Sequence, residues 1–352
     1  MNKRKLRKLI SRLLNLPKGK YLFLYIKNKF FHFYLKYTKS TKVAYPSTIM
    51  LELTNKCNLA CTTCPRVYDY GKAMDVGNMN INNAKKVIDE VWPYLDSIGL
   101  TGMGETFIYK EILNLVDYIK QKNNGIIISV STNAVLPGFI DSVRNLVGKI
   151  DTIQISIDGL NAVYEEIRRN AKFETLNDNI QILAKLCKNT KTTLMLNMVV
   201  TKENYHQMVD LVKYADLVGI DYIDFSMFNL AAVTNIDISY YEFYKSHEFI
   251  RAFDQLKTSM TETKNVIVTT HNFLTERNFQ KCIFPWSHFY ICWNGFVAPC
   301  CAKPFPLELN FGNVFENGVL SVLNSKKYQG FRKQWFENKT PNFCNKCHIV
   351  SE

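Results

Sequence analysis

Residues 48–64 read Thr-Ile-Met-Leu-Glu-Leu-Thr-Asn-Lys-Cys-Asn-Leu-Ala-Cys-Thr-Thr-Cys, a short β-rich run that leads directly into three cysteines. The run predicts a strand over 48–54, so Cys57, Cys61 and Cys64 fall on one loop at its carboxyl end, where α/β folds place their chemistry. A four-iron cubane needs four ligands, and three thiolates leave one iron open to a substrate or cofactor. The competing interpretation is a zinc loop, but such loops typically pair two-residue cysteine spacings and complete a tetrahedron.

Beyond this loop, β-rich runs alternate with helical patterns as far as residue 230, which is typical of βα units around a parallel sheet. Strands are predicted at 48–54, 97–100, 126–131, 152–157, 193–200 and 222–227. Helices are predicted at 82–91, 111–121, 138–146, 175–187 and 202–217, where apolar residues recur at three- and four-residue spacing. Residues 229–281 are expected to form a helical connection. The pattern therefore predicts an α/β fold.

A hairpin is predicted near the C-terminus, because Asn294-Gly295 lies between two β-rich runs. Closure by a two-residue turn pairs Trp293 with Phe296, and the same register pairs Phe289 with Cys300.

Four further cysteines are expected to form a second site around this hairpin. Cys282 precedes the first hairpin strand, so it can meet Cys300 at the open end, and Cys344 and Cys347 supply a two-residue pair. The spacing alone leaves structural zinc and an iron–sulfur cluster open.

The C-x3-C-x2-C spacing after a first strand resembles the radical S-adenosylmethionine (SAM) superfamily, and this resemblance covers about residues 46–230. Other positions match the family's pattern in chain order, including a glycine-rich segment after the second strand and polar residues after the third and fourth. The resemblance implies that Arg168, with Arg169 as its competitor, pairs with the SAM carboxylate. The implied SAM-binding residues are Gly102, Gly104, Glu105, Asn133, Ser156, Asp158 and Arg168.

The resemblance implies a partial (β/α)6 radical SAM barrel, in which SAM is reduced by one electron to methionine and a 5′-deoxyadenosyl radical that abstracts hydrogen from the substrate. The spacing of the second cysteine set, with Gly312-Asn313-Val314 inside it, resembles the twitch form of the SPASM extension. It implies an auxiliary 4Fe-4S cluster ligated by Cys282, Cys300, Cys344 and Cys347. The implied cofactors are two 4Fe-4S clusters, one SAM-binding and one auxiliary, and SAM; flavodoxin or ferredoxin is the expected electron donor.

The predicted domains are a basic, aromatic N-terminal arm (1–45), the radical SAM core (46–230), the helical connection (231–281) and a small hairpin-containing auxiliary-cluster domain (282–352). The net charge of +13 is concentrated in the arm, since 13 of the 44 Lys and Arg residues lie in 1–42 and no Asp or Glu precedes Glu52. The rest of the chain is close to neutral, which argues against a nucleic-acid enzyme.

The arm begins with a cationic amphipathic helical pattern over residues 3–16. The aromatic stretch 21–37 is interrupted by Lys27, Lys29, His32 and Lys36, so it is not expected to cross a membrane. Because no secretory signal is apparent, a cytoplasmic protein is expected. Residues 1–40 are expected either to lie on the cytoplasmic membrane face or to pack along the barrel.

Three cysteines remain outside these sets, and the residues identify no catalytic acid or base. Cys187 is expected in the core, whereas Cys292 and Cys301 are either packed residues or hydrogen-atom donors to a substrate radical. The favoured function is oxidation of a small polar molecule such as a sugar or aminocyclitol, with the auxiliary cluster accepting an electron. The alternatives are a radical SAM enzyme that epimerises or crosslinks a peptide, and a metal-stabilised binding protein without catalysis.

Replacing Cys57, Cys61 and Cys64 together by Ala should abolish reductive cleavage of SAM, because these thiols are the set expected to leave an iron open. The variant should retain about four irons at the second site. Iron content and 5′-deoxyadenosine formation after anaerobic reconstitution measure both effects. Cleavage that persists in the triple variant would contradict the assignment.

Overall fold

The computed structural model describes residues 15–233, 235–263, 265–274 and 282–347. The chain divides into two compact units. The first contains the described parts of Met1–Lys56, Met74–Ser129 and Gln280–Asn345, and the second contains those of Cys57–Ala73, Val130–Phe279 and Lys346–Glu352. The cationic pattern predicted over residues 3–16 lies outside the described residues except for Asn15 and Leu16.

The strands and helices alternate along most of the chain, as the sequence predicted. The strands are β1 (Thr48–Leu51), β2 (Ser97–Leu100), β3 (Ile127–Thr132), β4 (Thr152–Ser156), β5 (Thr193–Val200), β6 (Tyr222–Met227), β7 (Ile267–Thr270), β8 (Phe289–Ile291) and β9 (Val297–Ala298). The helices are α1 (Lys20–Tyr37), α2 (Asp69–Lys72), α3 (Ile81–Val91), α4 (Ile112–Lys122), α5 (Phe139–Arg144), α6 (Asn161–Ile167), α7 (Phe173–Cys187), α8 (Met208–Val218), α9 (His247–Glu262), α10 (Phe284–Ser287), α11 (Val314–Asn317), α12 (Val319–Leu323) and α13 (Lys326–Phe336). The predicted α/β class is confirmed.

In the first unit, β1 is the strand on which the sheet is built. It pairs in parallel with β2, with Ile49 opposite Ile98, and in parallel with β8, with Ile49 opposite Phe289. Both Ile49 and Leu51 are fully buried. The pairing of β1 with β8 was not predicted, because it joins strands about 240 residues apart and no local pattern records such a partnership.

The C-terminal hairpin forms, but its predicted register is wrong by one residue. Tyr290 pairs with Ala298 and Ile291 with Val297, and the Cys292 N–H donates to Phe296 O at 2.9 Å. The turn contains three residues instead of two because Gly295 adopts a left-handed conformation with φ of +89°. A three-residue turn ending in such a glycine is the next most common way to close a hairpin. Cys300 consequently does not stand opposite Phe289.

In the second unit, β4, β5, β6 and β7 pair in parallel in chain order. The strand β7 lies in the segment that was predicted to be a helical connection, and it extends the sheet beyond β6. Its four residues are only partly buried and include two threonines, so they do not show the apolar alternation of the other strands. Cys187 at the end of α7 is 4% exposed, which confirms its predicted place in the core.

One face of helix α1 packs against the rest of the first unit, to which the helix belongs. Asp96 accepts a hydrogen bond from the Tyr25 hydroxyl at 2.7 Å and forms an ion pair with Lys29 at 2.6 Å. The Asn28 side chain exchanges hydrogen bonds with both backbone groups of Tyr45, and Leu35 is buried. No described helix is long and apolar enough to cross a membrane.

The Glu90 carboxylate at the end of α3 holds the start of α12. Its two oxygens accept the backbone N–H groups of Val319, at 2.8 Å, and Leu320, at 3.0 Å. These N–H groups are left without partners inside the helix, and the N-terminal end of a helix favours negative charge. Glu90 therefore connects the α/β part of the first unit to its C-terminal helices.

Replacing Glu90 by Ala should lower the free energy of unfolding by about 1–3 kcal/mol, because two charge-assisted hydrogen bonds are lost. Glu111→Ala is a matched control, since the exposed Glu111 carboxylate accepts a bond from the exposed Asn114 side chain. The control should change stability by less than about 0.5 kcal/mol. Chemical denaturation of the anaerobic protein measures both values, and equal losses would contradict this role of Glu90.

Candidate functional site

The first cysteine loop lies in the second unit and is fastened to the end of α6. The Thr62 N–H donates to Ile167 O at 2.9 Å, and the Ala60 N–H donates to Arg169 O at 3.3 Å. After Cys64 the chain turns into a short 3-10 helix over Pro65–Val67. These backbone bonds fix the path of the segment that carries the three thiols.

The three thiols of this loop interact electrostatically with one another. Burial raises the pKa of Cys61 to about 11, the Arg168 charge acts in the opposite direction, and Asp158, Cys64 and Cys57 raise it further. Burial also raises the pKa of Cys64. Among the described residues, no three His, Cys, Asp or Glu side chains form a site for a single metal ion. The ligand assignment therefore depends on the donor chemistry and on the clustering of the thiols.

Arg168 lies beside this loop with its side chain 11% exposed. Its Nη2 approaches Asp158 Oδ2 at 2.9 Å, and its Nη1 donates to Cys61 Sγ at 3.9 Å. The contact with Asp158 is an ion pair without hydrogen-bond alignment, since Oδ2 has no hydrogen-bond partner, and the Arg168 Nε is a buried donor that also lacks one. Arg169, the competing candidate, is exposed. The structure therefore favours Arg168 as the cation of the site.

Two other residues border the same loop. Asn133 Nδ2 donates to Asn58 Oδ1 at 2.9 Å and to Cys57 Sγ at 3.9 Å. Tyr164, which the sequence analysis did not identify, is fully buried and its hydroxyl has no hydrogen-bond partner. Burial raises the pKa of Tyr164, and the Cys61 charge adds to this effect. Its position in α6, four residues before Arg168, is the sequence signal that could have identified it.

The glycine-rich segment lies in the first unit and packs tightly against the residues that follow β1. A Cβ atom on Gly102 would lie 2.3 Å from the Glu52 side chain, and one on Gly104 would lie 2.4 Å from Lys56 O. The Glu105 N–H donates to Lys56 O at 2.8 Å, and the Glu105 carboxylate accepts the Phe107 N–H. Glycine is required at these positions by the close approach of the chain itself.

A row of polar side chains crosses the strands of the second unit. Register neighbours on β4 to β7 are Ser156, Asn197, Asp224 and Thr269, named here the polar row. Asp224 accepts hydrogen bonds from Thr269 Oγ1 at 2.6 Å and from Asn197 Nδ2 at 3.1 Å. From the sequence, only Ser156 was predicted as a site residue. Asn197 and Asp224 were visible as polar residues within otherwise apolar predicted strands, whereas Thr269 lies in a segment that was not predicted to be a strand.

The second cysteine set lies mainly in the first unit. Burial raises the pKa of Cys282 to about 11, and the charge of Cys300 adds to it, so these two thiols interact although the predicted register was wrong. Lys303 donates to Phe343 O at 3.3 Å and lies over the Phe343 ring, which connects the turn after Cys300 to the helix ending at Cys344. Cys347 belongs to the second unit.

The two donor candidates, Cys292 and Cys301, are packed against the hairpin. Cys292 is 2% exposed and lies in a cluster with Tyr290 and Ala298, and Cys301 packs against the same cluster. Burial raises the pKa of both thiols, to about 12 for Cys301. Cys292 also lines a cavity of about 210 Å³ together with Glu52 and Asn55.

Comparison with known families identifies the two domains that carry the cysteine sets. Residues 51–215 match the radical SAM superfamily, and residues 282–348 match SPASM, an iron–sulfur cluster-binding domain. The chain is a member of the radical SAM superfamily with a C-terminal SPASM domain. The two matches favour an enzyme over the non-catalytic, metal-stabilised binding protein.

Similar proteins have different stated roles. The tungsten-containing aldehyde ferredoxin oxidoreductase cofactor-modifying protein of Pyrococcus furiosus is 24% identical and aligns over 86% of this chain and 87% of its own. The antilisterial bacteriocin subtilosin biosynthesis protein AlbA of Bacillus subtilis is 21% identical over 88% of this chain and 69% of its own.

Solved structures share the fold. Streptococcus suis SuiB bound to S-adenosylmethionine has a TM-score of 0.69 at 18% identity and covers 99% of this chain and 81% of its own. SuiB bound to the precursor peptide SuiA has a TM-score of 0.66 at 17% identity, covering 90% and 72%.

The two domains imply SAM and 4Fe-4S clusters, and the donor chemistry of the first loop fits them. Thiolates are the ligands that iron–sulfur clusters take, and three of them leave an iron for a further ligand. The buried Arg168 Nε, a donor without a partner, fits an anionic or oxygen-bearing ligand at the loop.

Gly104→Ala should destabilise the protein and lower iron incorporation, because the new Cβ would collide with backbone atoms of Thr54, Asn55 and Lys56 just before Cys57. Gly330→Ala is the matched control, since a Cβ there meets nothing within 4 Å inside α13. The control should stabilise α13 by up to about 1 kcal/mol. Thermal unfolding and iron content after reconstitution give the comparison. Gly104→Ala protein with unchanged melting temperature and iron content would contradict the packing argument.

Proposed function

We propose that this radical SAM enzyme modifies a peptide by a two-electron oxidation, such as formation of a crosslink. The observation that supports a peptide substrate is the similarity over most of the chain to a protein named for bacteriocin biosynthesis. The shared fold with SuiB, which has been solved with a precursor peptide, is consistent with it. The preference for a sugar or aminocyclitol stated from the sequence has less support.

In this proposal Cys57, Cys61 and Cys64 hold the SAM-binding cluster. When bound, the cluster and SAM supply the 5′-deoxyadenosyl radical that removes a hydrogen atom from the substrate. Arg168 provides a cation at the loop, and Asp158 holds its guanidinium in place. The proposed SAM contacts remain Gly102, Gly104, Glu105, Asn133, Ser156, Asp158 and Arg168.

The polar row is the proposed substrate-facing surface of the second unit. Asp224 can accept a hydrogen bond from a peptide N–H, and Asn197 can both donate and accept. The hydrogen bonds from Thr269 and Asn197 hold the Asp224 carboxylate in one orientation. Fixed polar groups of this kind position a substrate without requiring the site to rearrange.

The second cysteine set is proposed to hold an auxiliary cluster that takes part in the oxidation. Loss of one hydrogen atom leaves a carbon radical on the peptide, and forming a new bond from it requires loss of one further electron and a proton. A site with four thiolates, from Cys282, Cys300, Cys344 and Cys347, suits transfer of that electron without binding substrate. Epimerisation would instead need a hydrogen donor. The burial of Cys292, and the packing of the partly buried Cys301 against the same cluster, argue against that role.

A second candidate function is modification of a small cofactor-like molecule. Its support is the Pyrococcus furiosus relative, which aligns over more of its own length than AlbA does and is named for cofactor modification. A reducing donor such as flavodoxin or ferredoxin belongs to either function. Both are proposed to operate in the cytoplasm, with residues 1–40 attached to the cytoplasmic membrane face.

A pool of short peptides encoded by neighbouring reading frames should stimulate 5′-deoxyadenosine formation by reconstituted enzyme, whereas a pool of monosaccharides and aminocyclitols should not. The modified peptide should be about two mass units lighter, since oxidation removes two hydrogens. The product should persist after Cys292→Ala and Cys301→Ala, as it should after Cys187→Ala, the control for loss of a buried thiol. Liquid chromatography with mass spectrometry measures each product.

Three results would count against the proposal. Stimulation by the sugar pool alone would favour the sugar or aminocyclitol substrate expected from the sequence. A peptide product of unchanged mass whose formation stops in the Cys292→Ala or Cys301→Ala protein would favour epimerisation. Absence of 5′-deoxyadenosine with either pool, in protein that carries its clusters, would contradict the peptide proposal.

A further inference from the structure

Helix α1 has two opposite faces with different partners. The inner face carries Tyr21, Tyr25, Asn28, His32 and Leu35, which recur at three- and four-residue spacing and face the first unit through Asp96, Tyr45 and Trp92. The outer face carries large apolar residues at the same spacing: Phe23, Ile26, Phe30, Phe33 and Tyr37. These five are 45% to 81% exposed, so the outer face is an aromatic stripe without a partner among the described residues.

The contacts of the inner face make the exposure of the stripe a fixed property of the folded protein. The ion pair between Lys29 and Asp96, at 2.6 Å, and the paired hydrogen bonds between Asn28 and Tyr45 determine which side of the helix faces outward. A rotation that buried Phe30 and Phe33 would break these polar contacts. Exposed apolar patches held in this way mark interaction surfaces.

A groove of about 610 Å³ adjoins the stripe at the C-terminal end of α1. Phe33 belongs to both features. The groove is lined by large apolar residues, namely Phe33, Leu35, Trp286, Trp335 and Phe336, and by the basic side chains of His32, Lys36, Lys39 and Lys42. Cys282, a proposed ligand of the auxiliary cluster, also lines it. The groove is therefore amphiphilic, with basic side chains beside apolar ones.

Two tryptophans line this groove, and their indole nitrogens differ in their hydrogen bonding. Trp335 is 6% exposed and lines the groove, yet its indole Nε1 has no hydrogen-bond partner. The other groove indole, Trp286, donates to Ser40 O at 3.0 Å.

We propose that the aromatic stripe and the groove together bind an anionic phospholipid bilayer, with the stripe lying in the headgroup region and one acyl chain entering the groove. Aromatic residues with lysines beside them suit the interface between headgroups and acyl chains, and the exposed Lys27, Lys36, Lys39 and Lys42 match an anionic surface. This surface deepens the membrane placement in the proposed function and does not depend on the radical chemistry.

The test is flotation of the full-length, reconstituted enzyme with vesicles of phosphatidylcholine alone or mixed with phosphatidylglycerol. Binding is expected only with phosphatidylglycerol and should weaken as salt is added. Phe30→Ser with Phe33→Ser, and separately Lys27→Glu with Lys36→Glu, should each lower the vesicle partition coefficient by at least about tenfold. The matched controls are Ile182→Ser with Leu217→Ser and Lys185→Glu with Lys213→Glu, which alter other helices and should leave it unchanged.

Tryptophan fluorescence tests the groove directly. Phosphatidylglycerol brominated along its acyl chains should quench the protein, and Trp286→Phe with Trp335→Phe should remove most of the quenching. The stripe and charge variants change no residue of the proposed SAM site, so they should retain SAM cleavage. Because neither assay uses SAM or a reductant, failure of lipid binding would overturn the membrane placement and leave the proposed reaction standing.

Four outcomes would overturn the inference. The first is equal binding to both vesicle types, and the second is no binding. The third is a dimer, seen by light scattering and abolished by Phe30→Ser with Phe33→Ser, in protein that ignores vesicles; a second copy of the chain would then cover the stripe. The fourth is vesicle binding that persists in the Phe30→Ser with Phe33→Ser protein and is lost when residues 1–14 are removed.

Discussion

The buried carboxylate of Glu52 is the interaction on which the first unit depends. Glu52 is 3% exposed and directly follows β1, and its oxygens accept the Met103 N–H at 2.9 Å, the Tyr290 hydroxyl at 2.7 Å and the Trp293 N–H at 3.2 Å. A buried carboxylate is tolerable only with such donors, and removing it would leave the same donors buried and unpaired. One side chain thus joins the first strand, the glycine-rich segment and the C-terminal hairpin.

This arrangement explains why features far apart in the sequence share one unit. The Glu52 N–H also donates to Ile291 O at 2.9 Å, which continues the pairing of β1 with β8 by one residue. Gly102 then has to be glycine, because a Cβ there would overlap the Glu52 side chain. The SPASM hairpin is consequently part of the same sheet as the strand that leads into the first cysteine loop.

Local chemistry could be predicted from the sequence, and long-range pairing could not. Six strands and four helices were predicted close to their observed bounds because apolar periodicity is a local signal. The fifth helix, predicted at 202–217, begins six residues later, at Met208. The pairing of β1 with β8 was missed. The predicted hairpin register was wrong by one residue because Gly295, which fits a two-residue or a three-residue turn, takes the left-handed position of a three-residue turn. The polar row shows a different limit: its residues were visible, but only the strand register brings Asn197 opposite Asp224.

Helix α1 shows why a single amphipathic pattern can support two interpretations at once. The sequence left open whether the aromatic stretch packs on the protein or faces a membrane, and the structure shows that the packing interpretation holds for one face. Contacts along one face, apolar or hydrogen-bonded, are enough to hold a surface helix in a fold. The outer stripe, from Phe23 to Tyr37, therefore adds nothing to the packing of the first unit, while its exposure favours self-association. Exposed apolar residues held in this way are best explained by a partner outside the fold, and the lysines beside them favour one that is anionic.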